Sequence, residues 1–337
     1  MEIPASTVAI SAKRGEVMRE MRLRPMVEGG ILSGIAILFA LISAYLPLIG
    51  PFVNLMWPVP IILLGVRHGY KWSIMATAVS GIIIAVLMHP LHSLSVVVGF
   101  GLIGIVLGYA FRMGFSAAKT MLWGAFASML SKAALLAISA LVLGVNPLNM
   151  QTDLMADATR QAIEIYRNFG MGEPELQKMS EAMQSMVEMM KVILPAGFIM
   201  ASLVDTWINF LIAKTILRRL GHQVPDFPPF KAWSLPYTVI YFFALSLVMI
   251  YWGNSRSITL LTQTGMNLQL ITSMLILVQG LALFNYFADK YNLSKMIKGI
   301  ILFLILTNGF FAQLLLIAGA IDMVMDYRRL RGPYSKE

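Results

Sequence analysis

The sequence predicts an all-α fold, a polytopic transmembrane helix bundle, on three observations. Hydrophobic residues make up 58% of the chain and charged residues 13%, with a mean hydropathy of +0.74, far from the balance of a soluble domain. Several apolar runs reach the roughly 18–20 residues that cross a bilayer. Lys and Arg gather at the ends of those runs. Backbone groups in hydrocarbon must be satisfied internally, so runs of this length form helices rather than open strands. No cleavable signal peptide is expected, because the basic start leads straight into a full-length span. With no Cys, the chain has neither disulfides nor thiolate metal sites. The formal charge of +9 fits cations placed on the cytoplasmic side, and nucleic-acid binding is not expected.

Residues 1–27, with Lys13, Arg14, Arg19, Arg22 and Arg24, read as a basic cytoplasmic arm. Either a solvated tail or a short helix on the anionic leaflet would suit them. Residues 28–220 form a six-span module. Its first span, about 29–47, stops at Pro47 and carries Ala36, Ala40 and Ala44, a small residue every fourth position that lets another helix come close. The second block, about 52–66, contains Trp57-Pro58-Val59-Pro60. Two prolines there remove donors, break the helix and free carbonyls at membrane depth.

Spans at about 72–88 and 93–111 follow, the first with Ala76, Ser80 and Gly81 on one face, the second with Gly101, Gly104 and Gly108. The fifth, about 120–144, holds Lys132; the sixth, about 192–213, holds Asp205, Trp207 and Asn209. Between them, residues 146–191 make an acidic extracytoplasmic excursion that starts at Asn146. It should form two amphipathic helices, about 150–168 and 174–190, separated at Gly170–Gly172, with Pro174 opening the second.

Residues 221–232, with Pro225, Pro228 and Pro229, are the clearest linker. The C-terminal module, 233–337, has spans at about 233–252 and 267–288 and a last apolar block at 299–321. One unbroken span there would put the basic tail Arg328, Arg329, Arg331 and Lys336 outside, against the positive-inside rule. Asn308-Gly309 in its middle instead favours a bent hairpin or two short helices. That gives ten membrane segments rather than nine, with both termini cytoplasmic.

The stripe Ala36-x3-Ala40-x3-Ala44, the Gly50-Pro51 turn, the Pro58/Pro60 block, the Gly65–Gly69 turn and the glycine-rich fourth span occur in a distinctive order. Over roughly residues 25–220 that order resembles the S components of energy-coupling-factor vitamin transporters. The resemblance implies that Ala36, Ala40 and Ala44 dock on a separate coupling subunit, with Gly101, Gly104 and Gly108 as a second close-packing face. Two features depart from that pattern: the long excursion and the extra C-terminal helices. The full length, ending in Asp326-Tyr327-Arg328-Arg329, is similar to the YybS-like bacterial membrane proteins. This second resemblance implies an architecture and a place in the bacterial cytoplasmic (inner) membrane, and no activity. There is no G-x-x-x-x-G-K-[ST], so any ATP dependence would come from another protein.

Lys132 and Asp205 stand out, because a charge at bilayer depth is costly and faces the bundle interior or another charge. Their spans flank the same excursion, so an ion pair or a shared pocket is expected, either binding an ionic ligand group, relaying protons or tying two helices together. Asn54, Trp57 and Asn209 would add polar and aromatic walls beside the broken second block, ordinary packing being the alternative for each. His89 and His92 lack a third ligand. Met179, Met183, Met186 and Met190, with Met189 beside them, read as a flexible apolar face rather than a Cu(I) site. No metal or cofactor is expected. Without G-x-S-x-G, H-E-x-x-H or a Cys nucleophile, no enzyme is expected either.

These features point to a membrane protein that binds a small-molecule or lipid-like ligand and takes part in transport, with residues 146–191 as a lid. The alternative is a non-transporting scaffold of the cell envelope or division machinery, and a third is an intramembrane enzyme acting on a lipid. Expected partners are membrane lipids, the ligand, and a transmembrane protein or a second copy of the chain.

Overall fold

A computed structural model describes residues 5–46, 48–144, 147–328 and 330. Pro47, Asn146, Arg329, Arg331 and Lys336 lie outside the described residues, as do the side chains of Lys13, Arg14, Arg19 and Arg22. Helix dominates and no strand occurs among the described residues. Eight helices there are long and apolar enough to cross a membrane, and a bent pair near the C-terminus adds to them.

The chain divides into two compact units, 1–150 with 201–226, and 151–200 with 227–337. The first contains α1 (Ala5–Tyr45), α2 (Gly50–Leu55), α3 (Pro58–His68), α4 (Tyr70–Leu87), α5 (Pro90–Arg112) and α6 (Ala117–Leu143). Most of α7 (Pro147–Asn168) belongs to the second unit, and α8 (Glu173–Arg219) contributes to both. Then come a 3-10 turn (Phe230–Ala232), α9 (Thr238–Ser255), α10 (Thr259–Lys290), α11 (Lys295–Thr307) and α12 (Gly309–Met325), all in the second unit.

In the first unit the second membrane block is broken as its prolines require. Pro58 opens α3 and Pro60 falls in its first turn, where an N–H would have no helical acceptor. Ala36 and Ala40 of α1 are fully buried in a core with Trp57 just before α3, Ile61 and Leu64 of α3, and Ala76 and Ile84 of α4, whereas Ala44 is exposed. The α5 glycines meet α3: a Cβ on Gly104 would lie 3.0 Å from Ile61 Cβ, and one on Gly108 3.0 Å from the Ile62 carbonyl. The third glycine of that stripe, Gly101, lies against Thr77 of α4. The absence of side chains therefore sets the spacing of α3 and α5.

In the second unit, α7 and α8 are the two excursion helices, joined through Gly170 at φ +85°. Arg167 clamps that turn with hydrogen bonds of 3.1 and 3.3 Å to Glu173. The sequence reading ended the second excursion helix near residue 190 and started a new span at 192; α8 instead runs unbroken from Glu173 to Arg219, through Pro195. The reason lies in α10. Pro195 cannot donate to the Lys191 carbonyl, and next to it the Asn267 amide stands astride the following rung. Ala196 N donates to Asn267 Oδ1 at 2.8 Å, and Asn267 Nδ2 donates to the Val192 carbonyl at 2.7 Å. A side chain thus satisfies what the proline disturbs, and the helix continues.

The last apolar block is two helices, α11 and α12, bent by 104° at Asn308. Asn308 Oδ1 accepts from Phe310 N at 2.9 Å and so caps α12, as the Asn-Gly pair suggests. A Cβ on Gly280 of α10 or Gly319 of α12 would run into the backbone of the other helix, so these two cross at contact.

Candidate functional site

The break between α2 and α3 generates the site. In an unbroken helix the Leu55 carbonyl would accept from Val59 N, but Val59 N donates to Met56 O at 3.0 Å. Leu55 O is captured from another helix: Asn209 Nδ2 of α8 donates to it at 3.0 Å, and also to its own-helix Asp205 carbonyl at 2.9 Å. One turn back on α8, the Asp205 carboxylate pairs with Lys132 of α6. Lys132 Nζ donates to Ser128 Oγ at 2.6 Å, and Ser128 Oγ donates to Asp205 Oδ2 at 3.3 Å. The spacing Ser128–Lys132 is one helical turn, so both face α8. The side chains of Lys132 and Asp205 are 19% and 10% exposed, which withdraws the pair from solvent without sealing it.

On the elements that carry this pair and the broken span, several buried polar atoms have no hydrogen-bond partner: Asn54 Oδ1, Trp57 Nε1, Asn209 Oδ1 and Ser131 Oγ. Trp57 is fully buried, so its indole N–H is held away from solvent without an acceptor. Buried polar groups are nearly always paired, and leaving one unmade costs about 1–3 kcal/mol. Between them, these groups and the pair comprise a donor, acceptors and a charge of either sign. Of the residues named from sequence, Lys132, Asp205 and Asn209 are brought together, and Asn54 and Trp57 flank the Leu55 carbonyl that Asn209 holds. Cavities open elsewhere, one of about 530 Å³ beside Lys191, Pro195 and Asn267 and one of about 620 Å³ beside Tyr70, Tyr109 and Trp123.

His89 caps α5, its Nδ1 accepting from Leu91 N at 3.2 Å, and His92 Nε2 is buried without a partner. Among the described residues no group of three or more His, Asp or Glu could hold a metal ion. Met179, Met183 and Met190 are half-buried, while Met186 and Met189 are exposed.

A second buried centre escaped the sequence reading. Asp322 of α12 and Arg328 after it have side chains 2% and 1% exposed. Arg328 donates to Asp322 Oδ2 from Nε at 3.1 Å and Nη2 at 2.8 Å, to the Lys231 carbonyl at 2.6 Å and to the Trp233 carbonyl at 2.7 Å. Gln279 Nε2 of α10 donates to the same Asp322 oxygen at 2.6 Å, and Gln279 Oε1 accepts from Leu235 N at 2.9 Å. Part of the signal was present: Asp322 lies one residue past the end of an apolar block, and Gln279 is one of four side-chain amides in another. From sequence, Arg328 is one cation of a basic tail.

Multiple apolar helices enclosing buried acid–base pairs define an integral, polytopic, all-α membrane protein. Within that class, the chain belongs to the family described as predicted membrane protein (DUF2232), which it matches over residues 34–323. It is also similar to "Uncharacterized protein YybS" of Bacillus subtilis (strain 168), 26% identical over 308 residues, which is 90% of this chain and 97% of that protein. No solved structure matches it.

Proposed function

We propose that this membrane protein binds a small polar or lipid-like ligand at the Lys132–Asp205 centre and takes part in its transport. One observation supports this above the others: an acid–base pair joined to a proline-broken span, with buried polar atoms of Asn54, Trp57, Asn209 and Ser131 left without partners. Broken helices with freed backbone groups are where membrane transporters place substrates. The transport element rests further on the order of small-residue stripes shared with energy-coupling-factor S components. In this proposal both termini are cytoplasmic, the membrane is the bacterial inner membrane, residues 146–191 lie outside as a lid, and no covalent chemistry occurs. The surroundings are membrane lipids and either a transmembrane partner or a second copy.

Native mass spectrometry of gently extracted protein tests this proposal. Wild type should retain a small molecule that Lys132→Met and Asp205→Asn each lose while remaining folded by circular dichroism. Equal retention in the folded variants overturns the site. Cysteine-accessibility labelling should place residue 160 outside and both termini inside; protection at 160 overturns the topology.

A second function, a non-transporting scaffold of the envelope or division machinery, draws on a different observation. The pair is closed on itself through Ser128, and the cavities of about 530 and 620 Å³ have other walls, as expected of a structural tie between helices. A chain that retains no small molecule but co-purifies with a membrane partner would favour it.

A further inference from the structure

Between Glu28 and Asp153 the sequence has no Asp or Glu, yet it holds Arg67, Lys71, Arg112, Lys119 and Lys132. Two of these find acids elsewhere, Arg67 with Glu28 and Lys132 with Asp205. Lys71, Arg112 and Lys119 have no acid partner among the described residues. All three stand at one end of the first unit, at the start of α4, the end of α5 and the start of α6. From that same end a groove of about 620 Å³ runs along α5, walled by Tyr70, Val106, Tyr109, Phe115 and Trp123. Its floor on α5 runs from Ala110 back to Ile105, about 7 Å of helix, and Arg112 lies half a turn beyond it. Its rings are ordered: Tyr109 packs edge-on against Tyr70 and Phe115, with centroids 6.1 and 6.2 Å away. Lys119 Nζ lies 4.1 Å from the centre of the Phe115 ring, which places an ammonium at the mouth of the groove.

We infer that this groove seats an anionic phospholipid, its acyl chain along α5 and its phosphate among Lys71, Arg112 and Lys119. An apolar, aromatic-walled trough in a membrane-spanning unit selects a chain, and three cations without acids select the headgroup charge. A zwitterionic lipid would bring its own cation against these three. Arg112 donates only to the Val66 carbonyl, at 3.5 Å, so its charge remains available.

Detergent-solubilised protein offered an equimolar mixture of phosphatidylglycerol and phosphatidylcholine tests this by native mass spectrometry. Wild type should retain phosphatidylglycerol preferentially, and the preference should fall as salt rises. In the folded Lys71→Gln/Lys119→Gln protein, affinity for phosphatidylglycerol should drop roughly fivefold per cation removed, with phosphatidylcholine unaffected. Val106→Trp, which fills the groove, should cut retention of both lipids. Brominated acyl chains on phosphatidylglycerol should quench fluorescence in wild type more than in Trp123→Phe. Soluble glycerol phosphate should not compete; if it displaces the lipid, the site is for a free phosphate and the assignment fails. Equal retention of the two lipids by wild type, or a salt-independent preference, also overturns it.

Discussion

Two buried acid–base pairs occur among the described residues, and they differ in how many hydrogen bonds hold them. Arg328 places four donor contacts on Asp322, Lys231 and Trp233, and Gln279 adds a fifth bond to the same carboxylate. Only Asp322 Oδ1 there lacks a partner. Lys132 and Asp205 share Ser128, and the neighbouring turn of α8 carries Asn209, whose Oδ1 is unpartnered. A guanidinium with a fixed fork suits the first role, and a single rotatable ammonium suits the second. Charge within apolar helices is thus not one signal but two. The Arg328–Asp322 pair is held by five hydrogen bonds although Asp322 Oδ1 stays unpaired, whereas the Lys132–Asp205 pair has fewer, as the proposed ligand role requires.

The sharpest way to break this contrast is at Arg328. Arg328→Met leaves Asp322 buried and unpaired, and should destabilise the folded protein by about 3–5 kcal/mol, read by thermal or denaturant unfolding in detergent. The double variant Asp322→Leu/Arg328→Met should recover most of that loss. If Arg328→Met costs no more than Lys132→Met, the two centres are not different in kind. Lys132→Met should cost less, about 1–3 kcal/mol, because its pair is partly exposed and has fewer bonds to lose.

Next come the two asparagines that repair proline-opened helices. Asn209→Ala strands the Leu55 carbonyl, and Asn267→Ala strands Val192 O and Ala196 N. Each should cost about 1–3 kcal/mol, and Pro195→Ala should rescue most of the Asn267→Ala loss by restoring a regular helix. No rescue would mean that Asn267 acts through some other contact.

The smallest effect belongs to Asp226, in the loop after α8. The Lys214 ammonium, and then the Arg218 guanidinium at 2.5 Å, hold its carboxyl below the usual Asp range. A lowered native pKa gives stability that is complete above the unfolded value and lost as pH falls through the native one. The stability gap between wild type and Asp226→Asn should therefore be small at neutral pH and close below about pH 4. A gap that persists in acid would show that the pair is not its source.

Much of this was legible in the residues, for identifiable reasons. Lone charges in long apolar runs are rare, so Lys132 and Asp205 announced themselves, and prolines marked the α2–α3 break without help from any neighbour. Asn308-Gly309 signalled its break through local chemistry alone. What was hidden depends on distant partners. Nothing near Pro195 says that α8 continues, because the amide that mends it is Asn267 on α10. Arg328 resembles any basic tail residue until Asp322, Lys231 and Trp233 are seen around it. The alanine stripe was visible, but that Ala36 and Ala40 pack inward while Ala44 is exposed follows from helix placement, not spacing.

The amide astride the Pro195 rung sets an order of assembly. Synthesis proceeds from the N-terminus, so α8 leaves the ribosome before residue 267 exists. Until α10 arrives, α8 must enter the bilayer with Val192 O and Ala196 N unmended, and late insertion of α10 then locks a helix made earlier.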